Sequence, residues 1–188
     1  MSRGRLFVIS GPSGVGKTSV TRGLLRLRPE LSFSVSCTTR EPRSGEVDGR
    51  DYRFVSARDF DRLVEEGAFL EWVEVFAERY GTLSTPLVAD LEEGRDVILD
   101  IDVQGAATVR KRAAAAVLVF LVPPSRAELE RRLRSRSTER DLDLRRRLER
   151  AGCEMSQAGW FDRVVVNDDL ERAAAELAAI IDTGPVTD

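Results

Sequence analysis

The amino-acid sequence predicts an α/β fold built on a central parallel sheet flanked by helices. Three short segments, 6–9, 97–101 and 117–122, are apolar at nearly every position. Continuously apolar strands are typical of parallel sheets, which are buried on both faces. Segments with helical spacing of apolar residues, such as 17–27 and 170–181, alternate with these strands. Such alternation is typical of parallel α/β proteins.

Length and charge narrow the class of protein. The chain has 188 residues, of which 42% are hydrophobic, which suits one α/β core with small inserted lobes. The charged residues nearly balance at a net charge of -3, whereas a protein that binds duplex nucleic acid normally carries a basic excess. We therefore expect no nucleic-acid partner, although a single nucleotide would need only a local basic site.

The composition also excludes several kinds of chemistry and location. The chain has no histidine, and its two cysteines, Cys37 and Cys153, are far apart. Mechanisms that need an imidazole are therefore excluded, and neither a zinc site nor a disulfide framework is expected. No apolar run reaches 18 residues, and the N-terminal run is too short for a signal peptide. We therefore expect no membrane association and a cytoplasmic location.

The first half of the chain interrupts the parallel-sheet pattern with a mixed lobe. A second strand is predicted over 33–36, and the polar segment 37–51 shows no core pattern. Alternating segments follow at 52–55 and 69–76. Between them, Ser56-x-x-Asp59 predicts a helix start. A further helix is predicted to begin at Thr85, with Pro86 at its first position, and to end at Gly94.

The second half returns to the α/β pattern after the strands at 97–101 and 117–122. Ser125-x-x-Glu128 is a capping box that predicts a helix to about residue 133. The segment 126–150 contains ten arginines, six acidic residues and few apolar positions. A last strand is predicted at 163–166 and a last amphipathic helix at 170–181.

A phosphate-binding loop follows the first strand. It matches G-x-x-x-x-G-K-[ST] at every defined position, between an apolar strand and a helix. Its glycines let backbone N–H groups point at phosphates, and the helix N-terminus favours anions. The alternative is a glycine-rich turn that only joins strand to helix. The predicted ATP-binding residues of this loop are Gly11, Pro12, Ser13, Gly14, Val15, Gly16, Lys17 and Thr18.

Two acidic residues, Asp100 and Asp102, follow the second buried strand. In P-loop proteins, a carboxylate at this strand end supports Mg²⁺, and the loop hydroxyl of Thr18 ligates it. We therefore predict a Mg²⁺ cofactor held by Thr18 and Asp100, largely through water. By period 2 both acids lie on one strand face. The alternative is that they cap the helix before Gln104.

Several further strings resemble guanylate kinases in family order and spacing, and with the loop they cover nearly the whole chain. They are SCTTREPRSGEVDGRDY at 36–52, FLEW at 69–72, YGT at 80–82, ILDIDVQG at 98–105 and VNDD at 166–169. The resemblance implies a P-loop nucleoside monophosphate kinase fold that transfers the γ-phosphoryl group of Mg-ATP to GMP or dGMP. It divides the chain into core segments 1–35, 94–125 and 151–188, a GMP-binding lobe 36–93 and a helical lid 126–150.

The resemblance also implies individual roles. Arg40, Arg43, Tyr52 and Tyr80 would clamp the GMP phosphate, and Ser36, Glu71, Thr82 and Asp102 would read guanine. The catalytic residues would be Lys17, Arg132, Arg136 and Arg147, and Asn167 would contact adenine.

The residue types fit these roles independently. Arginine makes bidentate contacts to phosphate. A carboxylate such as Glu71 can accept both N1–H and N2–H of guanine. Phosphoryl transfer needs positioning and positive charge rather than a strong base.

Simpler interpretations of some of these residues exist. Tyr52 and Tyr80 could be strand packing, and Arg132 and Arg136 could form a solvated helix face. In the lid, Ser137 and Arg140 depart from the family pattern.

Two other functions remain as alternatives. A scaffold module of the same fold would bind phosphopeptides, but such modules typically lack an intact phosphate loop. A kinase of the same fold could use another acceptor, such as a ribose bisphosphate or another nucleoside monophosphate, although Glu71 and Thr82 favour guanine. The sequence leaves the oligomeric state open between a monomer and a homo-oligomer.

Overall fold

A computed structural model describes residues 3–75, 77–135 and 141–184. Strands and helices alternate along this part of the chain. The strands are β1 (Leu6–Ser10), β2 (Ser32–Phe33), β3 (Cys37–Thr38), β4 (Arg53–Phe54), β5 (Phe69–Val75), β6 (Glu78–Leu83), β7 (Val97–Asp100), β8 (Val117–Val122) and β9 (Arg163–Val166). The helices are α1 (Lys17–Leu27), α2 (Ala57–Glu65), α3 (Ser84–Glu92), α4 (Val103–Arg112), α5 (Arg126–Ser135), α6 (Asp141–Met155) and α7 (Leu170–Thr183).

The larger sheet is parallel and forms the centre of the described chain. Its strand order is β2-β7-β1-β8-β9, and β1 lies between β7 and β8. The apolar strands β1, β7 and β8 form the middle of this sheet, because helices cover both faces of a parallel sheet and its strands are therefore buried. One cluster of buried side chains packs α1 and α7 on one face, and a second packs α3 and α4 on the other. The predicted α/β class with a central parallel sheet is confirmed.

A second, smaller sheet lies within the segment predicted as the inserted lobe. Its order is β4-β3-β6-β5, with β6 antiparallel to both β3 and β5. Its own apolar cluster contains Cys37, Phe60, Phe69 and Leu83. Ser56 caps α2 as predicted, because its hydroxyl accepts from the Asp59 N–H at 3.1 Å.

Three sequence expectations were wrong in detail. The predicted strand 33–36 is confined to Ser32–Phe33, because the chain then leaves the larger sheet and enters the smaller one at β3. Cys37 and Thr38, in the segment expected to lack a core pattern, are both fully buried. Helix α3 begins at Ser84 rather than Thr85, so Pro86 occupies the third helical position.

The predicted lid contains α5 and most of α6, and four apolar side chains of these two helices form a cluster. Leu129, Leu133 and Ala151 are buried, and Leu148 packs against them. Ser125 caps α5, because its hydroxyl accepts from the Glu128 N–H at 3.1 Å. The two helices therefore pack on each other through a small apolar contact.

Candidate active site

The phosphate loop connects the end of β1 to the start of α1. Gly14 and Gly16 have φ values of 84° and 98°, in the left-handed region that favours glycine. A Cβ atom at Gly14 would also lie 2.7 Å from Cδ2 of Leu133. Glycine at this position therefore permits both the turn of the loop and the close approach of α5.

Lys17, Thr18 and Asp100 meet where β1 and β7 end side by side. The Thr18 hydroxyl donates to Oδ2 of Asp100 at 3.0 Å, and Lys17 Nζ donates to the Gly11 carbonyl at 2.9 Å. Burial raises the pKa of Asp100, while the positive charge of Lys17 and the hydrogen bond from Thr18 oppose that rise. The structure thus places the ammonium, hydroxyl and carboxylate at the mouth of the loop.

These oxygens fit Mg²⁺ as it binds beside a nucleotide. The ion prefers hard oxygen ligands, and it usually takes one or two from protein and the others from phosphate and water. The described residues contain no group of three or more acidic, cysteine or histidine side chains that could hold a metal alone. The hydroxyl of Thr18 and the carboxylate of Asp100 could therefore supply the protein's share of the ligands.

Two residues that were predicted to contact or act on ATP, Asn167 and Arg132, hold the backbone of the phosphate loop. Asn167 Nδ2 donates to the Val15 carbonyl at 2.7 Å, and a guanidinium nitrogen of Arg132 donates to the same oxygen at 3.0 Å. Arg132 also donates to the Asn167 carbonyl at 3.0 Å and to Glu128 at 2.7 Å. Arg132 is therefore not simply part of a solvated face. Its predicted catalytic role and the adenine contact of Asn167 stay predictions.

The predicted guanine-reading residues Glu71 and Thr82 lie opposite each other on β5 and β6. Glu71 is 2% exposed and Thr82 is fully buried, and the Thr82 hydroxyl donates to Oε1 of Glu71 at 2.6 Å. Burial raises the pKa of the Glu71 carboxyl to about 7, although the hydrogen bond from Thr82 opposes the rise and the nearby charge of Asp102 adds to it. This carboxyl is deeply buried and yet lines a cavity, an arrangement typical of binding sites.

Asp102 is placed next to Glu71 by the first turn of α4. Its Oδ1 accepts from the Gly105 N–H at 2.8 Å, so Asp102 is the N-cap of α4. The expectation that Asp100 and Asp102 share one strand face was wrong, because β7 ends at Asp100. The helix-cap interpretation applies to one oxygen of Asp102. A Cβ atom at Gly105 would lie 2.6 Å from Oε2 of Glu71, so the bare backbone there makes room for that carboxylate.

The predicted phosphate-clamp residues lie together in the smaller sheet and its loops. The rings of Tyr52 and Tyr80 meet edge to face at 6.0 Å, and the Arg40 guanidinium lies 5.3 Å from the centre of the Tyr52 ring. Burial raises the pKa of Tyr52 to about 12, so its hydroxyl stays protonated and can donate to an anion. Arg40 also pairs with Glu46 at 2.9 Å, and the Arg43 N–H donates to the same carboxylate at 2.7 Å.

A cavity of about 290 Å³ joins the phosphate loop to three of the predicted guanine-reading residues, Ser36, Glu71 and Asp102. A second cavity, of about 810 Å³, lies between α1 and the loops of the smaller sheet. Both are lined by Thr18, Ser36, Arg43, Tyr52, Tyr80 and Asp100. Arg147 lines neither cavity, and Arg136 lies outside the described residues.

Sequence reasoning missed three acidic or basic residues of this cleft. Glu46 holds Arg40, and Arg150 and Glu154 of α6 line the smaller cavity. Glu46 lies within the family-like segment 36–52, close in sequence to Arg40 and Arg43. Its negative charge beside two arginines could therefore have indicated an ion pair. Arg150 and Glu154 gave little signal, because they lie in a helix rich in charged residues whose inward face depends on how α6 packs.

A phosphate loop after the central strand of a parallel sheet defines a P-loop protein that binds a nucleoside triphosphate, and a second polar cavity lies beside this loop. The comparison with known proteins is more specific. A family model described as Guanylate kinase matches residues 3–184. The chain belongs to the guanylate kinase family.

Relatives and solved structures agree with this family. The chain is 51% identical to the guanylate kinase of Oleidesulfovibrio alaskensis over 94% of its own length and 85% of that protein. It is 48% identical to the guanylate kinase of Rubrobacter xylanophilus over 96% and 95% of the two chains. The crystal structure of guanylate kinase from Anaplasma phagocytophilum superposes with a TM-score of 0.82 at 35% identity, covering 97% of this chain and 86% of that one. The predicted fold and family are thereby confirmed.

Proposed function

We infer that this chain is an ATP:GMP phosphotransferase, which transfers the γ-phosphoryl group of ATP to GMP and releases ADP and GDP. Family membership supports the activity. The observation that carries the site assignment is the cavity that has the phosphate loop on one side and the buried Glu71 carboxylate on another. A donor phosphate on the loop and a guanine on Glu71 would place the acceptor phosphate between them.

We assign the phosphates of ATP to the backbone N–H groups of the loop and to Lys17, and the GMP phosphate to Arg40, Arg43, Tyr52 and Tyr80. The Glu71 carboxylate would accept N1–H and N2–H of guanine, with Thr82 holding its other side. Mg²⁺, bound through Thr18 and Asp100, would neutralise charge on the phosphates. The protein's part is positioning and electrostatic stabilisation, since the reaction needs no covalent residue.

The finer parts of the function follow from the same assignment. None of the proposed base contacts involves the ribose 2′-hydroxyl, so dGMP should also be accepted. Recycling GMP for purine nucleotide metabolism is the corresponding cellular role, and a cytoplasmic location stays a prediction. No helix in the described part of the chain is both long and apolar enough to span a membrane.

The decisive experiment is an ADP-release assay with ATP and each of GMP, dGMP, AMP, CMP and UMP. Turnover should be confined to GMP and dGMP. Lys17→Ala should keep the fold and lower kcat by roughly 10²–10³, because it removes one positioned positive charge from the transferring group. The chain offers a matched control, since its one other lysine, Lys111, is exposed on α4. Lys111→Ala should retain wild-type kcat.

Three results would contradict these assignments. Preferred turnover of another acceptor would refute the acceptor assignment and favour the alternative kinases. A folded Lys17→Ala variant with more than about half of wild-type kcat would refute the role of the phosphate loop. Complete inactivity of the wild-type protein toward every acceptor, combined with binding of a phosphopeptide, would favour a scaffold module.

A further inference from the structure

Two charged residues on the inner face of α6 enter the cleft, although the assignment above gives them no role. Arg150 and Glu154 are one helical turn apart, and the Arg150 guanidinium pairs with Oε1 of Glu154 at 2.7 Å. Glu154 is only 8% exposed. Acidic residues are rarely buried so deeply without a specific set of partners.

The partners of Glu154 include the phosphate loop. Its second oxygen, Oε2, accepts from the Ser13 N–H at 3.0 Å. A carboxylate that accepts a backbone N–H and an arginine N–H has two charge-assisted hydrogen bonds, which are stronger than neutral ones. Helix α6 is therefore fastened to the loop at Ser13.

The partners of Arg150 include the predicted guanine-reading side of the cavity. Arg150 donates to Oδ2 of Asp102 at 3.1 Å. The other oxygen of Asp102 caps α4 through the Gly105 N–H. Both oxygens of Asp102 thus have a donor that orients the carboxylate, and Asp102 and Arg150 both line the smaller cavity.

Guanine presents three N–H hydrogens along one edge of the base, and Glu71 can accept two of them. Glu71 can accept N1–H and one hydrogen of the N2 amino group, which leaves the second N2–H in need of an acceptor. Glu71 and Asp102 are neighbours across Gly105. A carboxylate oxygen has more than one acceptor position, so Oδ2 of Asp102 can hold its bond from Arg150 and still accept from the base.

We propose that Arg150 is a positioning residue for guanine selectivity, which holds Oδ2 of Asp102 where it accepts the second N2–H of GMP. Through Glu154 the same guanidinium ties this acceptor to Ser13 of the phosphate loop. The guanine side of the cleft and the ATP side are therefore joined by one ion-pair chain, Asp102–Arg150–Glu154. This inference rests on the proposed function, because it assumes that guanine is the base bound beside Glu71.

The test compares GMP with inosine monophosphate (IMP), which keeps N1–H but lacks the N2 amino group. Dissociation constants for both are measured by calorimetry, so that the result does not depend on turnover. Arg150→Met keeps a long apolar stem and removes the guanidinium. It should weaken GMP about tenfold, as expected for a charge-assisted contact that is no longer held in place, and weaken IMP less than about threefold.

Two further variants make the comparison specific. Arg150→Lys keeps the charge but loses the fork that contacts two carboxylates at once, so its loss of GMP-over-IMP preference should be intermediate. Arg146→Met removes an exposed arginine from the same helix and should leave both affinities unchanged. If Arg150→Met does not fold, as judged by circular dichroism, Arg150→Lys carries the test, with an expected loss of preference of about threefold.

The outcomes separate the inference from the function on which it rests. A selective loss of GMP affinity with wild-type IMP affinity supports the positioning role. Equal losses for both nucleotides would overturn it and leave Arg150 as a purely structural group, and so would unchanged affinities. A wild-type protein that does not bind GMP would instead refute the proposed function.

Discussion

The buried carboxyl of Glu71 carries a cost in stability and, in the proposed site, a gain in selectivity. The fold withdraws its carboxyl from water, which raises its pKa to about 7. One oxygen is satisfied by Thr82 and the other lies over Gly105. A site with such a group favours ligands that donate hydrogen bonds to it, because any other ligand leaves the buried acceptor unpaired.

Replacing Glu71 with Gln should narrow the preference for GMP over AMP. GMP offers two donors to the carboxylate, whereas AMP would present the lone pair of N1 to it, and sites of this kind reject the wrong ligand by roughly 10⁴. Glu71→Gln should cost GMP about 2–3 kcal/mol of transition-state stabilisation, and AMP less. The measurement is kcat/KM for both nucleotides. Glu74→Gln, on the exposed side of the same strand, is the control. If the ratio of kcat/KM for GMP to that for AMP were unchanged in Glu71→Gln, Asp102 rather than Glu71 would be the residue that distinguishes the bases.

The same substitution should change how stability depends on pH. A glutamate in the unfolded chain titrates near 4.5, whereas Glu71 in the folded protein titrates near 7. Between these values the folded protein keeps a proton that the unfolded chain has released, so the contribution of Glu71 to stability falls as the pH rises. Glu71→Gln should remove this loss and be more stable than wild type above pH 7, by up to about 3 kcal/mol. Urea denaturation of the ligand-free proteins at pH 5 and pH 8 measures it, and parallel stability profiles would contradict it.

Among the elements, α5 and α6 differ in how they are attached to the rest of the chain. Helix α5 packs on the phosphate loop through Leu133 beside Gly14, and Arg132 holds the Val15 carbonyl. Helix α6 adds Arg150 and Glu154 near its C-terminal end. Their shared apolar cluster is small. Elements with few buried apolar contacts have low local stability, which suits a lid.

We expect hydrogen exchange across the predicted lid to slow when ATP and GMP are both bound. The described parts are 126–135 and 141–150, and the reduction should be larger in the second, because Arg132 and Leu133 already hold the first on the phosphate loop, whereas the contact of α6 with that loop, at Glu154, lies beyond residue 150. The arginines of such a segment repel one another, and bound phosphates would relieve this repulsion. The segment should then become more stable and exchange more slowly. Helix α7, which is packed in the main core, provides the internal reference. Equal exchange with and without nucleotides would contradict closure of a lid.

The whole molecule has separate apolar cores for its two sheets. Phe120 lies on β8 of the larger sheet, and its ring centre is 4.7 Å from that of Phe161, while Phe60 stacks on Phe69 at 4.6 Å under the smaller sheet. Leu87 and Leu91 of α3 belong to the core of the larger sheet, although α3 falls inside the segment predicted as the GMP lobe. The smaller sheet therefore depends on a core of few side chains.

Truncating each core should affect the two nucleotides differently. Phe60→Ala and Phe120→Ala each remove a fully buried ring, which typically costs about 3–5 kcal/mol. Phe60→Ala should weaken GMP binding while ATP binding changes little, because the phosphate loop belongs to the other core. Phe120→Ala should lower the global free energy of unfolding and weaken both. Calorimetric titration of each variant with GMP and with an ATP analogue decides this, and equal weakening of both ligands by Phe60→Ala would contradict it.

The sequence by itself determined the fold class, the phosphate loop and the family. The apolar strands, the glycines of the loop and the capping residues act through local geometry, which is readable from neighbouring positions. The tertiary structure decided what depends on distant contacts: that Asp102 caps α4 while facing Arg150, that Arg132 supports the loop, and that Glu154 accepts from Ser13. Ser13 and Glu154 are 141 residues apart, and nothing local at either position indicates the other. Such pairs arise only when helices pack, because packing decides which face of a charged helix points inward.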